Sequence, residues 1–242
     1  MTSRAPAEAS LVDARLAQSG ASHGFDLREV EAAAGVVRPR QVHGAAVVSL
    51  AQCRDAAGRP EADAVVSTTP GVRIGIVSAD CVPLLLAARD GSAVAAVHAG
   101  WRGLACGVIG AGVRALAAAA GVAPADLLAG IGPHIGSCCY EVDAPVLDAL
   151  RQRFADRLQA TLLPSRAGHA LLDLGALTRA ALEREGLPSG AVGEAAGLCT
   201  HCDPRHFHSY RRDGARAGRM VHYIAARPAQ AGSPGIADRP QA

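Results

Sequence analysis

Three short stretches hold side chains that packing alone does not call for: Gln41-Val42-His43-Gly44, Ser78-Ala79-Asp80-Cys81-Val82-Pro83 and Val97-His98-Ala99-Gly100-Trp101-Arg102-Gly103. They supply one thiol, Cys81, and two imidazoles, His43 and His98. Thiolate and imidazole are preferred zinc ligands, and three protein ligands leave a fourth position for water or substrate. No pair among them has a finger-like spacing. On spacing alone, a buried cysteine with two hydrogen-bonded core histidines is the simpler reading, and a zinc site the sharper one. A metal-free alternative makes Cys81 a nucleophile and His98 its base, for chemistry on an amide.

The elements around these residues decide whether they can meet. Val72 to Ser78 and Val82 to Ala88 are apolar runs of strand length. Asp90-Gly91 signals a hairpin whose returning strand is Ser92 to His98. Cys81 and His98 then end neighbouring strands, with Pro83, Gly100 and Gly103 marking sharp backbone changes beside them. His43 comes from a distant loop. A helix is predicted over Gly103 to Ala120, stopping at Gly121, and its apolar surface predicts burial. Further on, a strand is expected at Leu127–Ile131, and a helix from Asp143 to about Leu158. Asp173 caps another helix that ends near Gly186. Strands follow near 191–195, 207–210 and 221–225. Mixed strands and helices with at least one β-hairpin argue for an α/β (α+β) fold rather than a doubly wound parallel sheet.

The chain has 242 residues, half of them apolar, which suits a packed core. Its net charge is +2, and all 24 basic residues are arginine. They are scattered, so no nucleic-acid partner is implied. The start lacks an apolar signal core and no apolar run reaches membrane length, so a cytoplasmic protein with a small-molecule substrate and no membrane is expected. Seven cysteines make no disulfide framework and read as free thiols or metal ligands. The expected organisation is a frayed N-terminus at 1–24, a single catalytic domain at 25–227 and a disordered tail at 228–242.

The wording of the motifs adds to this. QVHG, ADAVVSTTPG, SADCVPLLL, AVHAGWRG, IGPHIGSCCYEV and CT…FHSYRRDG…GRM follow one another in this order. Together they closely resemble the laccase-domain family, also called the polyphenol oxidase or peptidoglycan editing factor family. The resemblance runs from about Arg40 to Arg219. It implies purine nucleoside phosphorylase, adenosine deaminase or methylthioadenosine phosphorylase activity, with phosphate as a co-substrate of the phosphorylases. It implies a layered α/β/β/α arrangement, and it makes His43, Cys81 and His98 the ligands of one zinc ion. Copper is not expected, because multi-copper sites need more histidines than the trio offers. The chain departs from the family pattern before Gln41, where only His23-Gly24-Phe25 and Asp26-Leu27-Arg28 stand in for a longer segment. A non-catalytic nucleotide-binding protein is therefore a further reading, beside an amide hydrolase that edits a peptidoglycan precursor.

Other residues are candidates for supporting roles. Asp80 can orient a ligand histidine through its free ring nitrogen, or cap a turn. Trp101, the only tryptophan, can stack on a purine or simply pack. Arg102 can fork onto phosphate or ribose, or form a surface ion pair. Gln41, His134 and Arg211 are placed on the substrate side. Cys138-Cys139 are vicinal, and one is expected in the core. Cys199-Thr200-His201-Cys202 looks like half of a zinc knuckle without a second Cys-x-x-Cys to complete it.

Overall fold

The computed structural model describes residues 10–28, 35–195 and 197–228. In chain order these carry β1 (Ser10–Leu11), β2 (Ser22–Asp26), β3 (Val47–Ser49), α1 (Leu50–Asp55), β4 (Ala64–Ser67), β5 (Ile74–Ser78), β6 (Val82–Ala88) and β7 (Val94–Ala99). Then come α2 (Trp101–Cys106), α3 (Val108–Ala120), β8 (Leu127–Ile131), β9 (Glu141–Asp143), α4 (Ala144–Gln159), β10 (Leu162–Pro164) and β11 (His169–Leu172). The last are α5 (Leu174–Arg184), β12 (Val192–Glu194), α6 (Tyr210–Asp213) and β13 (Met220–Ala225).

A six-stranded sheet in the order β12-β8-β6-β7-β4-β3 is the centre. Its β6–β7 pair is the hairpin expected at Asp90-Gly91, with Leu84 opposite Val97 and Leu86 opposite Ala95. Both faces of these strands are buried, which explains why they read as unbroken apolar runs. Successive side chains point to opposite faces. Leu84, Leu86, Ala95 and Val97 enter a core with Val108, Val113 and Leu116 of α3, and with Leu150 and Leu177 of α4 and α5. Leu85, Ala87, Val94 and Ala96 enter a second core with Phe25, Ile74, Ile76 and Ile224. That core lies against a four-stranded sheet in the order β1-β2-β13-β5. Helices, sheet and sheet thus form successive layers of the expected α+β class, with a small antiparallel sheet β10-β11-β9 beside them.

Three expectations are corrected. Residues 10–24 are not frayed: β2 pairs with β13, and Phe25 is fully buried in the second core. Burying such a ring is worth about 1.5–3 kcal/mol, which a reading of short polar and Ala-rich sequence does not register. The helix expected over 103–120 is two helices, α2 and α3. Gly107 takes φ +86° between them, and the Arg153 guanidinium bonds the Ala105 and Cys106 carbonyls at 3.0 and 3.3 Å. The strand expected at 207–210 is instead the entry to α6, because the Ser209 hydroxyl accepts the Arg212 N–H as an N-cap. Of the expected frayed start and disordered tail, residues 1–9 and 229–242 lie outside the described residues.

Candidate metal centre

The chain crosses from one sheet to the other between β5 and β6, and Cys81 sits on that crossing. His98 is the penultimate residue of β7, paired with Pro83. Val82 pairs with Ala99, so Cys81 falls beside Gly100. A Cβ on Gly100 would lie 2.8 Å from the Cys81 Sγ and 3.4 Å from the His43 ring, so only glycine leaves room for the cluster. His43 arrives on the loop before β3 with φ +61°, a left-handed conformation that is costly for a residue with a side chain. One ligand atom from each of His43, Cys81 and His98 lies within 4.8 Å of the others, and the two imidazole centroids are 4.9 Å apart. His98 is buried, Cys81 partly exposed and His43 exposed, so the group opens to solvent on the His43 side. These three residues can hold a metal ion: soft and borderline donors converge, and a side remains open.

Asp63, just before β4, supports the group, and sequence reasoning passed over it. Its fully buried carboxylate accepts from His98 Nδ1 at 2.8 Å. It also accepts the backbone N–H of Val42, His43 and Gly44 at 3.1, 3.0 and 2.7 Å. One side chain thus fixes the His98 ring and folds the loop that presents His43. Burial raises the Asp63 carboxyl, but the bonds from His98 and the loop outweigh it and hold it below the usual carboxylate range. With Nδ1 engaged, His98 Nε2 is left for a metal. Desolvation raises the Cys81 thiol, but hydrogen bonds and charge from His43 and His98 bring it down to about 6. Desolvation lowers His98, yet Asp63 and Cys81 lift it to about 9. The signal that could have revealed Asp63 was a carboxylate directly before a buried strand inside the ADAVVS motif.

Asp80 does not orient a ligand histidine. Its carboxylate accepts from Thr200 Oγ1 at 2.6 Å, Ser209 Oγ at 3.1 Å and the Arg211 N–H at 2.6 Å. Those bonds hold its backbone at φ +88°, the turn that delivers Cys81. Gln41 spends its amide on the Val77 backbone, one bond each way at 2.8 Å, and so ties the His43 loop to β5. His134 is buried, with Nδ1 on the Gly132 carbonyl at 2.9 Å and Nε2 against Gly175. Trp101 packs on the helical core, and the exposed Arg102 guanidinium stacks on its ring at 4.3 Å. Arg211 lies over Tyr140 at 5.1 Å while bonding the Glu141 carbonyl at 3.0 Å. Tyr140 was also missed. Burial raises its hydroxyl, and the Arg211 guanidinium stands over its ring.

A layered α+β fold whose strand ends gather a His–Cys–His group able to hold a metal is the class of protein defined by this geometry. The chain belongs to the family described as "Multi-copper polyphenol oxidoreductase laccase", whose model matches residues 21–227. It is 42% identical over 185 residues to a Xylella fastidiosa (strain 9a5c) protein named purine nucleoside phosphorylase, covering 75% of this chain and 68% of that one. A Geobacillus stearothermophilus protein, purine nucleoside phosphorylase YlmD, is 34% identical over 77% of this chain and 70% of its own. Among solved structures, the Bacillus licheniformis hypothetical protein YfiH superposes with a TM-score of 0.79 at 26% identity, over 93% of this chain and 98% of that one. No helix among the described residues is long and apolar enough to cross a membrane.

Proposed function

We propose that this chain is a zinc-dependent enzyme of purine nucleosides, which releases the base by phosphorolysis or deaminates adenosine. The observation that carries the reading is the open-sided His43–Cys81–His98 group, backed by a buried carboxylate. Relatives named purine nucleoside phosphorylase support the substrate class. Zinc fits the donor set better than copper oxidase chemistry does, since one thiolate and two imidazoles with a free side are a catalytic zinc arrangement. A zinc ion there supplies a Lewis-acid charge next to bound substrate.

The protein's own residues do the rest. Asp63 keeps His98 in the tautomer with Nε2 free and holds the His43 loop against it. Arg102, exposed beside Trp101, is the fork for phosphate or ribose oxygens, in the planar geometry oxyanions favour. Arg211 adds a second positive charge over Tyr140. Gln41, His134 and Asp80 act by positioning backbone rather than by touching substrate. The measurement that tests this is steady-state turnover of adenosine and inosine with and without phosphate. Phosphate-dependent release of free base, or inosine formation from adenosine, is expected, each lost in Cys81→Ala. Tight nucleoside binding with no turnover would contradict it and favour a binding protein.

A second reading rests on one observation. The Cys81 thiol lies within 4.8 Å of a His98 ring nitrogen, near enough for a cysteine nucleophile with its base, and the hydrogen bond and charge between them favour the thiolate. It predicts zinc-free active protein that a thiol alkylator inactivates at Cys81, whereas bound zinc blocks both.

A further inference from the structure

We infer that Cys138, Cys139, Cys199 and Cys202 form a second metal site, a closed tetrathiolate that holds structural zinc. The four cysteines come from two turns that are far apart in the chain, and all four Sγ atoms lie within 4.8 Å of one another. In a zinc tetrathiolate with Zn–S near 2.3 Å, sulfurs stand about 3.8 Å apart along each tetrahedral edge. Cys138 Sγ is 3.7 Å from Cys202 Sγ, and Cys139 Sγ is 3.3 Å from it. Small shifts would complete the tetrahedron.

The backbone around them is built for sulfur. In one turn, the N–H groups of Cys139 and Tyr140 both reach the Gly136 carbonyl at 3.0 Å, which puts two adjacent cysteines on the same side. In the other, the N–H groups of Cys202 and Asp203 reach the Cys199 carbonyl at 3.1 and 3.2 Å, the turn of a zinc knuckle. A bridge between His134 and Cys199 aligns the two turns, with the Thr200 N–H on the His134 carbonyl at 3.0 Å. The Gly136 N–H donates to Cys199 Sγ at 3.2 Å, a bond that favours thiolate. A Cβ on Gly136 would lie 3.3 Å from the Cys199 Cβ and 3.4 Å from the Cys138 Sγ. The second half of the knuckle is therefore a vicinal pair in place of another Cys-x-x-Cys.

Four protein ligands leave no open position, which marks a structural rather than a catalytic site. Its place in the fold says what it stabilises. The turn at Cys199 leads directly into Thr200, Ser209 and Arg211, the three donors that hold the Asp80 carboxylate beside Cys81. Metal at the four cysteines would pin that segment across a separation of 63 residues from Cys139 to Cys202.

The test is zinc content of the full chain purified with reductant and zinc. Two zinc ions per chain are expected in the wild type, one in Cys81→Ala and one in Cys199→Ser/Cys202→Ser. Loaded with Co(II), the wild type and Cys81→Ala should show the intense visible and thiolate-to-metal bands of four-sulfur tetrahedral coordination, and the double variant should keep only the weaker bands of a site with one thiolate. Should the double variant fail to fold, Cys81→Ala alone decides, since the four cysteines are the metal-capable group it keeps intact among the described residues. Zinc-free Cys81→Ala, a Cys139–Cys202 disulfide in the reduced preparation, or iron in place of zinc would each overturn the proposal. Nucleoside turnover plays no part in these readouts, so failure here leaves the reading of the His–Cys–His group standing, and the reverse holds.

Discussion

Cys81 stands on a crossing between two sheets with a buried core on either side, whereas Cys138, Cys139, Cys199 and Cys202 stand on two turns with Cys138 and Cys202 exposed. Around Cys81 the support comes from elsewhere in the fold: Gly100 makes room, Asp63 fixes both histidines, and Asp80 holds the turn. Around the four cysteines the support is the turns' own backbone and one bridge. A site that must keep one side free needs rigid walls, because nothing bound on that side can organise it. A site that closes on its ligand can be organised by the ligand itself. The two regions meet at Asp80, whose carboxylate ties the segment after Cys199 to the residue before Cys81.

The sharpest break of this comparison is functional. Cys81→Ala should reduce nucleoside turnover to background, while Cys199→Ser/Cys202→Ser should keep it within about tenfold at low temperature and lose thermal stability instead. Equal loss in both would make the two regions one machine. Next in size is Asp80→Ala, which removes the acceptor of three hydrogen bonds, one of them from a backbone amide. Urea unfolding should show a loss of about 3–5 kcal/mol, since buried bonds to a charged group are worth about 1.5–3 kcal/mol each and overlap in effect. A smaller cost would mean that the four-cysteine segment docks without Asp80.

Asp63→Asn should come third. It keeps the shape but misplaces a donor against His98 or the Val42–Gly44 loop, and supporting residues of this kind cost about 10–100-fold in metal affinity. Zinc competition with a chelator measures it, and an unchanged affinity would show that His98 orients itself. At neutral pH the smallest effect concerns His222 on β13, which acts only on the acid side. Its Nε2 is 2.8 Å from Ser78 Oγ, its Nδ1 has no partner among the described residues, and burial followed by the charge of His98 lowers it to about 3. A histidine lowered on folding binds its proton more readily when unfolded, so stability is intact above about pH 6.5 and is lost as pH falls below it. Below about pH 6 the slope should approach about 1.4 kcal/mol per pH unit. His222→Leu should flatten that acid limb, and an unchanged slope would assign it to another group.

Much of this was legible in the sequence, for reasons that differ by element. β6, β7 and β8 are buried on both faces and announce themselves as apolar runs, and Asp90-Gly91 announces their hairpin. Gly100 and the motif wording pointed to Cys81 and His98. What was not legible depends on contacts between distant segments. β2 is a strand because β13 pairs with it, not because of its own composition. The orienting role expected of Asp80 falls to Asp63, because adjacency in sequence suggested Asp80 while the fold carries Asp63 to the histidines. Gln41 and His134 have the residue types of a substrate pocket, yet backbone groups claim both amide atoms of Gln41 and the Nδ1 of His134. Half a knuckle at Cys199 gave no hint that a vicinal pair some 60 residues earlier would face it.

The central claim is that His43, Cys81 and His98 hold one catalytic zinc with a free side. Zinc X-ray absorption on Cys199→Ser/Cys202→Ser tests it most directly, because this is the metal-capable group left intact among the described residues. One sulfur, two imidazole nitrogens and one further light atom around each zinc are the result expected. A sulfur-free or sulfur-rich shell, or no bound zinc at all in the folded variant, would contradict it.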